Sequence, residues 1–134
     1  MAHAPGPRST LSGPGRLHHV SLTVTDLVRS IEWYTSVLGM RVLRTVENEH
    51  FMRAILSVDG FPPVFGLTRH DTGGGARFSE LHAGLDHLSF DISDDDVADW
   101  EHRLTEQAIP FSKPRAGLIV LRDPDNIQIE LFSS

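Results

Sequence analysis

His19 and His87 open two stretches of closely similar sequence, His19-Val20-Ser21-Leu22-Thr23-Val24-Thr25-Asp26 and His87-Leu88-Ser89-Phe90-Asp91-Ile92-Ser93-Asp94. In each, every second residue from the histidine faces one way and an unbroken apolar row faces the other, the pattern of a half-buried strand. Glu130 lies in a third strand-like stretch, opposite the row formed by Ile127, Ile129 and Leu131. If the apolar rows pack on helices and the sheet curves, His19, His87 and Glu130 converge. Two imidazole nitrogens and one carboxylate oxygen form a facial set that holds a divalent first-row metal and leaves positions for water and substrate, as a catalytic centre requires. A histidine among the eight of an ordinary domain is more often solvated or hydrogen-bonded than ligating, but matched places in a repeat favour the metal site. His70 is a further candidate, as a general base: counting by twos from Gly66 through Thr68 puts it on the same face at the mouth of its strand. A solvated role is the plain alternative there.

The elements that must position these residues repeat as βαβββ. A strand over 17–24 leads to Asp26, an N-cap, and a helix to about Leu38 with Leu27, Ile31, Tyr34 and Leu38 on one face and Gly39 as the C-cap. Strands follow near 41–46, 51–59 and 64–70. After Asp71 to Ala83, a segment whose Gly73-Gly74-Gly75 suits a mobile lid, the order recurs: a strand over 85–92, a helix over 94–107, a short strand around Phe111, a strand over 118–122, a turn at Asp123-Pro124-Asp125-Asn126 and a strand over 127–132. The Asp94-Asp95-Asp96 run suits a helix start, where carboxylates meet the positive end of the dipole. The expected domain is a single one over 16–134, made of modules 17–70 and 84–132, after a flexible leader over 1–15 rich in proline and glycine.

Composition narrows the function. The 134 residues are 40% hydrophobic and 22% charged, with a net charge of −6 and one lysine, Lys113. That balance argues against nucleic acid, whose phosphates demand clustered basic residues. No apolar run approaches membrane-spanning length, and the leader lacks the apolar stretch of a signal peptide, so the expected location is cytoplasmic, without a membrane partner. The absence of cysteine removes disulfides, thiolate ligands and a cysteine nucleophile.

Four stretches carry a family resemblance: His19-Val-Ser-Leu-Thr-Val-x-Asp-Leu, Ser30-Ile-Glu-Trp-Tyr-x-x-Val-Leu-Gly-Met, Leu85-Asp-His-Leu-Ser-Phe-Asp-Ile and Asp123-Pro-Asp-Asn-Ile-Gln-Ile-Glu-Leu. From Leu17 to Phe132 the chain resembles the vicinal oxygen chelate superfamily, that is, the glyoxalase, bleomycin-resistance and dioxygenase fold. The resemblance implies an α+β fold in which two βαβββ modules form a cup-shaped mixed sheet around a metal site, with ligands from the first and last strands of each module. Those places fall on His19, His87 and Glu130; His18, expected on the opposite face, is passed over. The fourth falls on Gly66, where glyoxalase I and epimerase relatives carry glutamate or glutamine, which puts a strict glutathione-dependent glyoxalase I in doubt.

The implied protein is a divalent-metal-dependent enzyme, a lyase or isomerase like glyoxalase or a dioxygenase of the extradiol type, that chelates adjacent oxygens of a small-molecule substrate. Iron, manganese, zinc, nickel and cobalt all suit nitrogen and oxygen ligands. Related proteins commonly pair modules across two chains, which implies a homodimer with the site shared between subunits or closed within one chain. The competing reading is a metal-free cup that sequesters a small molecule, such as an antibiotic, as bleomycin-resistance proteins do.

Overall fold

The computed structural model describes residues 13–14, 17–58, 65–73, 75 and 77–134. The leader expected over 1–15 lies outside them except for residues 13 and 14, as do positions 59 and 64 of the strands expected over 51–59 and 64–70. The elements run β1 (Val20–Thr23), α1 (Leu27–Ser36), β2 (Arg41–Glu47), β3 (Phe51–Ser57) and β4 (Phe65–His70), then β5 (His87–Asp91), α2 (Val97–Glu106), β6 (Ser112–Arg115), β7 (Leu118–Arg122) and β8 (Gln128–Phe132). They form two four-stranded sheets of identical plan, β1-β4-β3-β2 and β5-β8-β7-β6. In each, the first strand pairs parallel with the last and the remaining pairs are antiparallel. The repeated sequence is therefore a repeated topology, and the expected α+β pair of βαβββ units is what forms.

Each sheet buries one face. Leu22, Leu56 and Leu67 of the first unit and Ile119, Ile129 and Leu131 of the second alternate along their strands and join one apolar cluster with Tyr34 and Leu104 from the helices. The opposite faces are left for polar side chains, as period-two alternation requires. The helices begin differently. Asp26 caps α1 with its carboxylate, which accepts the amide N–H of Arg29 at 3.1 Å. The helix expected over 94–107 starts later: Asp94 to Asp96 form a 3₁₀ turn behind Ser93, whose Oγ accepts from the amide of Asp95, and α2 begins at Val97. Likewise α1 ends at Ser36, two residues before the expected Leu38, and Gly39 turns the chain with a φ of 75°.

The two units are joined through a buried polar contact. The Tyr34 hydroxyl on α1 donates to Asp123 Oδ2 at 2.7 Å, and the amides of Asp125 and Ile127 donate to Asp123 Oδ1. Thr25 Oγ1 donates to Asp125 Oδ1 at 2.5 Å, and Phe65 meets Phe90 across the same seam with ring centroids 6.2 Å apart. Burial raises the pKa of the Asp123 carboxyl against the opposing pull of its hydrogen bonds. Burial first, and then the adjacent Asp123 charge, also holds the Tyr34 hydroxyl above its ordinary value, so it remains a donor.

The segment expected as a lid is partly fastened down. Phe78 N–H donates to Asp125 O at 3.0 Å, Asn126 Nδ2 donates to Phe78 O, and Arg77 donates to Asn126 Oδ1. Glu80 takes a 2.7 Å hydrogen bond from Arg122, which lowers the pKa of its carboxyl. The β7–β8 turn offers polar partners that dock residues 77–80 instead of leaving them loose. No helix among the described residues is long and apolar enough to cross a membrane.

Candidate functional site

The strand register fixes which side chains share the exposed face of the first sheet. Directly opposed residues point to the same side. One row across the strands is therefore Ser21, Gly66, Ile55 and Arg44, and the next is Thr23, Thr68, Arg53 and Val46. Together with His18, His19 and the edge of Phe65, most of these side chains line a cavity of about 310 Å³, within the range of small-ligand pockets. Ser21 Oγ and Thr68 Oγ1 are hydrogen-bonded at 2.9 Å, and Arg53 Nε donates to Thr68 Oγ1 at 2.7 Å. A Cβ at Gly66 would stand 3.0 Å from Ser21 Oγ. A side chain at this place would need the Ser21 hydroxyl to shift by a few tenths of an ångström, and glycine itself offers no ligand atom.

In the second sheet the corresponding row is Ser89, Glu130, Val120 and Ser112. Ser21 opposes Gly66 as Ser89 opposes Glu130, so the two ladders make Gly66 and Glu130 equivalent. His87 Nε2 lies 3.7 Å from Glu130 Oε1, and its other ring nitrogen, Nδ1, is 2.7 Å from Asp86 Oδ1. Gln128 Nε2 donates to Glu130 Oε2 at 3.0 Å, which fixes the carboxylate. The Asp86 hydrogen bond raises the pKa of His87 above the usual imidazole value, and the Glu130 charge acts in the same direction. A carboxylate on one ring nitrogen selects the tautomer that presents the other nitrogen, the arrangement that commonly supports a histidine ligand.

Of the residues expected to gather, His87 and Glu130 do so within one chain. His19 stands immediately ahead of β1, on the cavity of the first unit, with its Nδ1 2.8 Å from His18 Nδ1. No three histidine, cysteine, aspartate or glutamate side chains gather to hold a metal among the described residues of the single chain. His18, expected on the far face, lines the same cavity as His19, because these residues precede the paired part of the strand and escape its alternation. His70 ends β4, exposed, its ring edge-on to Phe51 with centroids 6.1 Å apart; it is not among the residues lining the cavity. Sequence reasoning missed Arg53, Arg44 and Asp86. The signal for Arg53 was present: it alternates with Ala54 and Leu56, which are fully buried, and so had to face the polar side.

Comparison with known proteins finds relatives over nearly the whole chain. A lactoylglutathione lyase from Escherichia coli O157:H7 is 33% identical over 127 residues, spanning 87% of this chain and 91% of the relative. A glyoxylase/bleomycin resistance protein/dioxygenase domain from Frankia sp. EAN1pec superposes with a TM-score of 0.77 at 34% identity, covering 93% of each chain. The trypanothione-dependent glyoxalase I of Leishmania major superposes with a TM-score of 0.72 at 25% identity, covering 90% of this chain and 87% of its own. The family profile matches residues 16–131, and the chain belongs to the Glyoxalase/Bleomycin resistance protein/Dioxygenase superfamily.

Proposed function

We propose that the protein is a metal-dependent enzyme in which His87 and Glu130 of one copy and His19 of a second copy hold a single divalent ion. The observation that carries this reading is the His87–Glu130 pair, 3.7 Å apart, with the far ring nitrogen of His87 engaged by Asp86 and the far oxygen of Glu130 by Gln128. Such outer contacts hold ligand atoms in place before a metal arrives. Since His19 faces a different cavity within its own chain, a shared site in a homodimer supplies the third ligand. A bound ion would act as a Lewis acid toward adjacent oxygens of a small substrate.

The chain's own groups divide the remaining work. Glu130 and His87 fix the open side of the site, and the apolar edges of Phe65, Ile55 and Val46 exclude water from one flank of the cavity. His70, on the strand face shared with Gly66 and Thr68, is the general-base candidate, replacing the carboxylate that Gly66 does not provide. The lyase named among the relatives favours proton transfer next to a carbonyl over dioxygen chemistry.

Subunit exchange tests the arrangement. His19→Ala and Glu130→Ala, each purified without chelator, are expected to lose bound metal with the fold retained. Mixed and allowed to exchange, they regain about one quarter of the wild-type metal content, since half the dimers are mixed and each carries one intact site of two. Restoration of none would sink the shared site. Wild-type protein that folds and binds small ligands with no metal would instead support the sequestering cup.

A further inference from the structure

The cavity of the first unit carries basic groups beyond the one histidine that the proposed metal site would use. Its ionisable lining is His18, His19, Arg44 and Arg53, with no carboxylate, in a chain whose net charge is −6. Three other basic groups are paired with carboxylates: Arg29 with Asp125, Lys113 with Glu101 and Arg122 with Glu80. Among the described residues neither Arg44 nor Arg53 has a carboxylate partner. A basic concavity on an acidic molecule concentrates anions.

Arg53 is also held in one pose. Its Nε donates to Thr68 Oγ1, Thr68 is 2% exposed and tied to Ser21, and the guanidinium carbon sits 4.3 Å above the centre of the Phe51 ring. The Nη edge of the guanidinium makes no hydrogen bond among the described residues. A planar fork with its orientation fixed and its outer edge unspent matches a carboxylate with two parallel hydrogen bonds. Little entropy remains to be lost on binding, because the side chain is already ordered. Gly66, with no side chain between Ser21 and Ile55, leaves that part of the row low enough for a ligand to lie across it.

We infer that Arg53, oriented by Thr68 and Phe51 and seconded by Arg44, binds the carboxylate of the substrate, so that the substrate class is small carboxylic acids whose adjacent oxygens lie at the other end of the molecule. This rests on the reading of the cavity as the substrate side of the metal site. It adds a specificity determinant that neither the metal ligands nor His70 supplies.

The test uses matched probes on full-length protein. Manganese-loaded protein, kept under argon, is titrated with 3,4-dihydroxybenzoate and with catechol, which share the adjacent oxygens and differ in the carboxylate. Metal-free protein is titrated in parallel with benzoate and benzyl alcohol, followed by amide chemical shifts. Wild type is expected to prefer the carboxylate member of each pair by at least about tenfold. Arg53→Met abolishes the preference, and Arg53→Lys, which keeps the charge but not the fork, retains part of it. Equal affinity within both pairs, or a preference that survives in Arg53→Met, overturns the inference and leaves the metal reading intact. Failure to hold manganese, with the benzoate preference intact and dependent on Arg53, overturns the metal reading and leaves this one. Should Arg53→Met not fold, Arg53→Gln and Arg53→Lys carry the same comparison.

Discussion

The two sheets share a topology and differ in the chemistry of their polar faces. At equivalent ladder positions the first carries Gly66, Arg53 and Arg44 and the second carries Glu130, Leu118 and Ser112. His19 precedes its strand with its ring nitrogen against that of His18, whereas His87 lies within β5 between Asp86 and Glu130. One face is basic and lacks a metal-binding carboxylate; the other holds a carboxylate and a histidine already in contact. The repeat keeps the scaffold that places side chains, while the two copies differ in the side chains they place on it.

That comparison can be broken first at the joint between the units. Tyr34→Phe removes the hydroxyl that donates to the buried Asp123 carboxylate and is expected to cost about 2–3 kcal/mol near neutral pH, measured by urea unfolding. The pH dependence has a definite sign. Asp123 has its folded pKa raised by burial above the unfolded value of about 3.9. Its contribution is therefore full below that value and is lost as pH rises through the folded pKa. Removing the Tyr34 donor, which opposes the shift, raises the folded pKa further, so the deficit of Tyr34→Phe should shrink on acidification through this window. A deficit that grows with acid would contradict the assignment.

A smaller effect comes from making the first face imitate the second. Gly66→Glu must push Ser21 aside, since the added Cβ would stand 3.0 Å from its Oγ, and a loss of roughly 1–2 kcal/mol in chemical denaturation is expected. Pairing it with Ser21→Gly should recover most of that loss. If the single variant were as stable as wild type, Ser21 would have yielded without cost and the close approach would not limit this position. Smallest is the contrast between helix starts. Asp26→Ala, which removes the α1 cap, should lower stability by about 1 kcal/mol, and Ser93→Ala by less, because Ser93 caps only a short 3₁₀ turn. Thermal unfolding of both variants decides it.

Much of the fold was legible because it rests on local patterns. Alternation around Leu22 and Ile129 identified buried strand faces, and Asp26 and Gly39 marked a helix start and a turn where the structure has them. The equivalence of Gly66 and Glu130 followed from aligning the chain with itself, and the ladders agree. What escaped depends on contacts between distant residues. The docking of residues 77–80 on the β7–β8 turn, the separation of His19 from His87 within one chain and the hold of Thr68 and Phe51 on Arg53 leave no periodic trace in sequence. His18 misled because alternation was extended past the point where pairing begins.

The Tyr34–Asp123 bond has a consequence for how this chain can be divided. A fragment cut anywhere in 71–83 would present Tyr34 to bulk solvent and leave Phe65 without Phe90, while its counterpart would carry Asp123 bare of its phenol. Symmetry between the halves therefore does not make either one self-sufficient: neither can be produced, exchanged or evolved as an autonomous module without first replacing that couple.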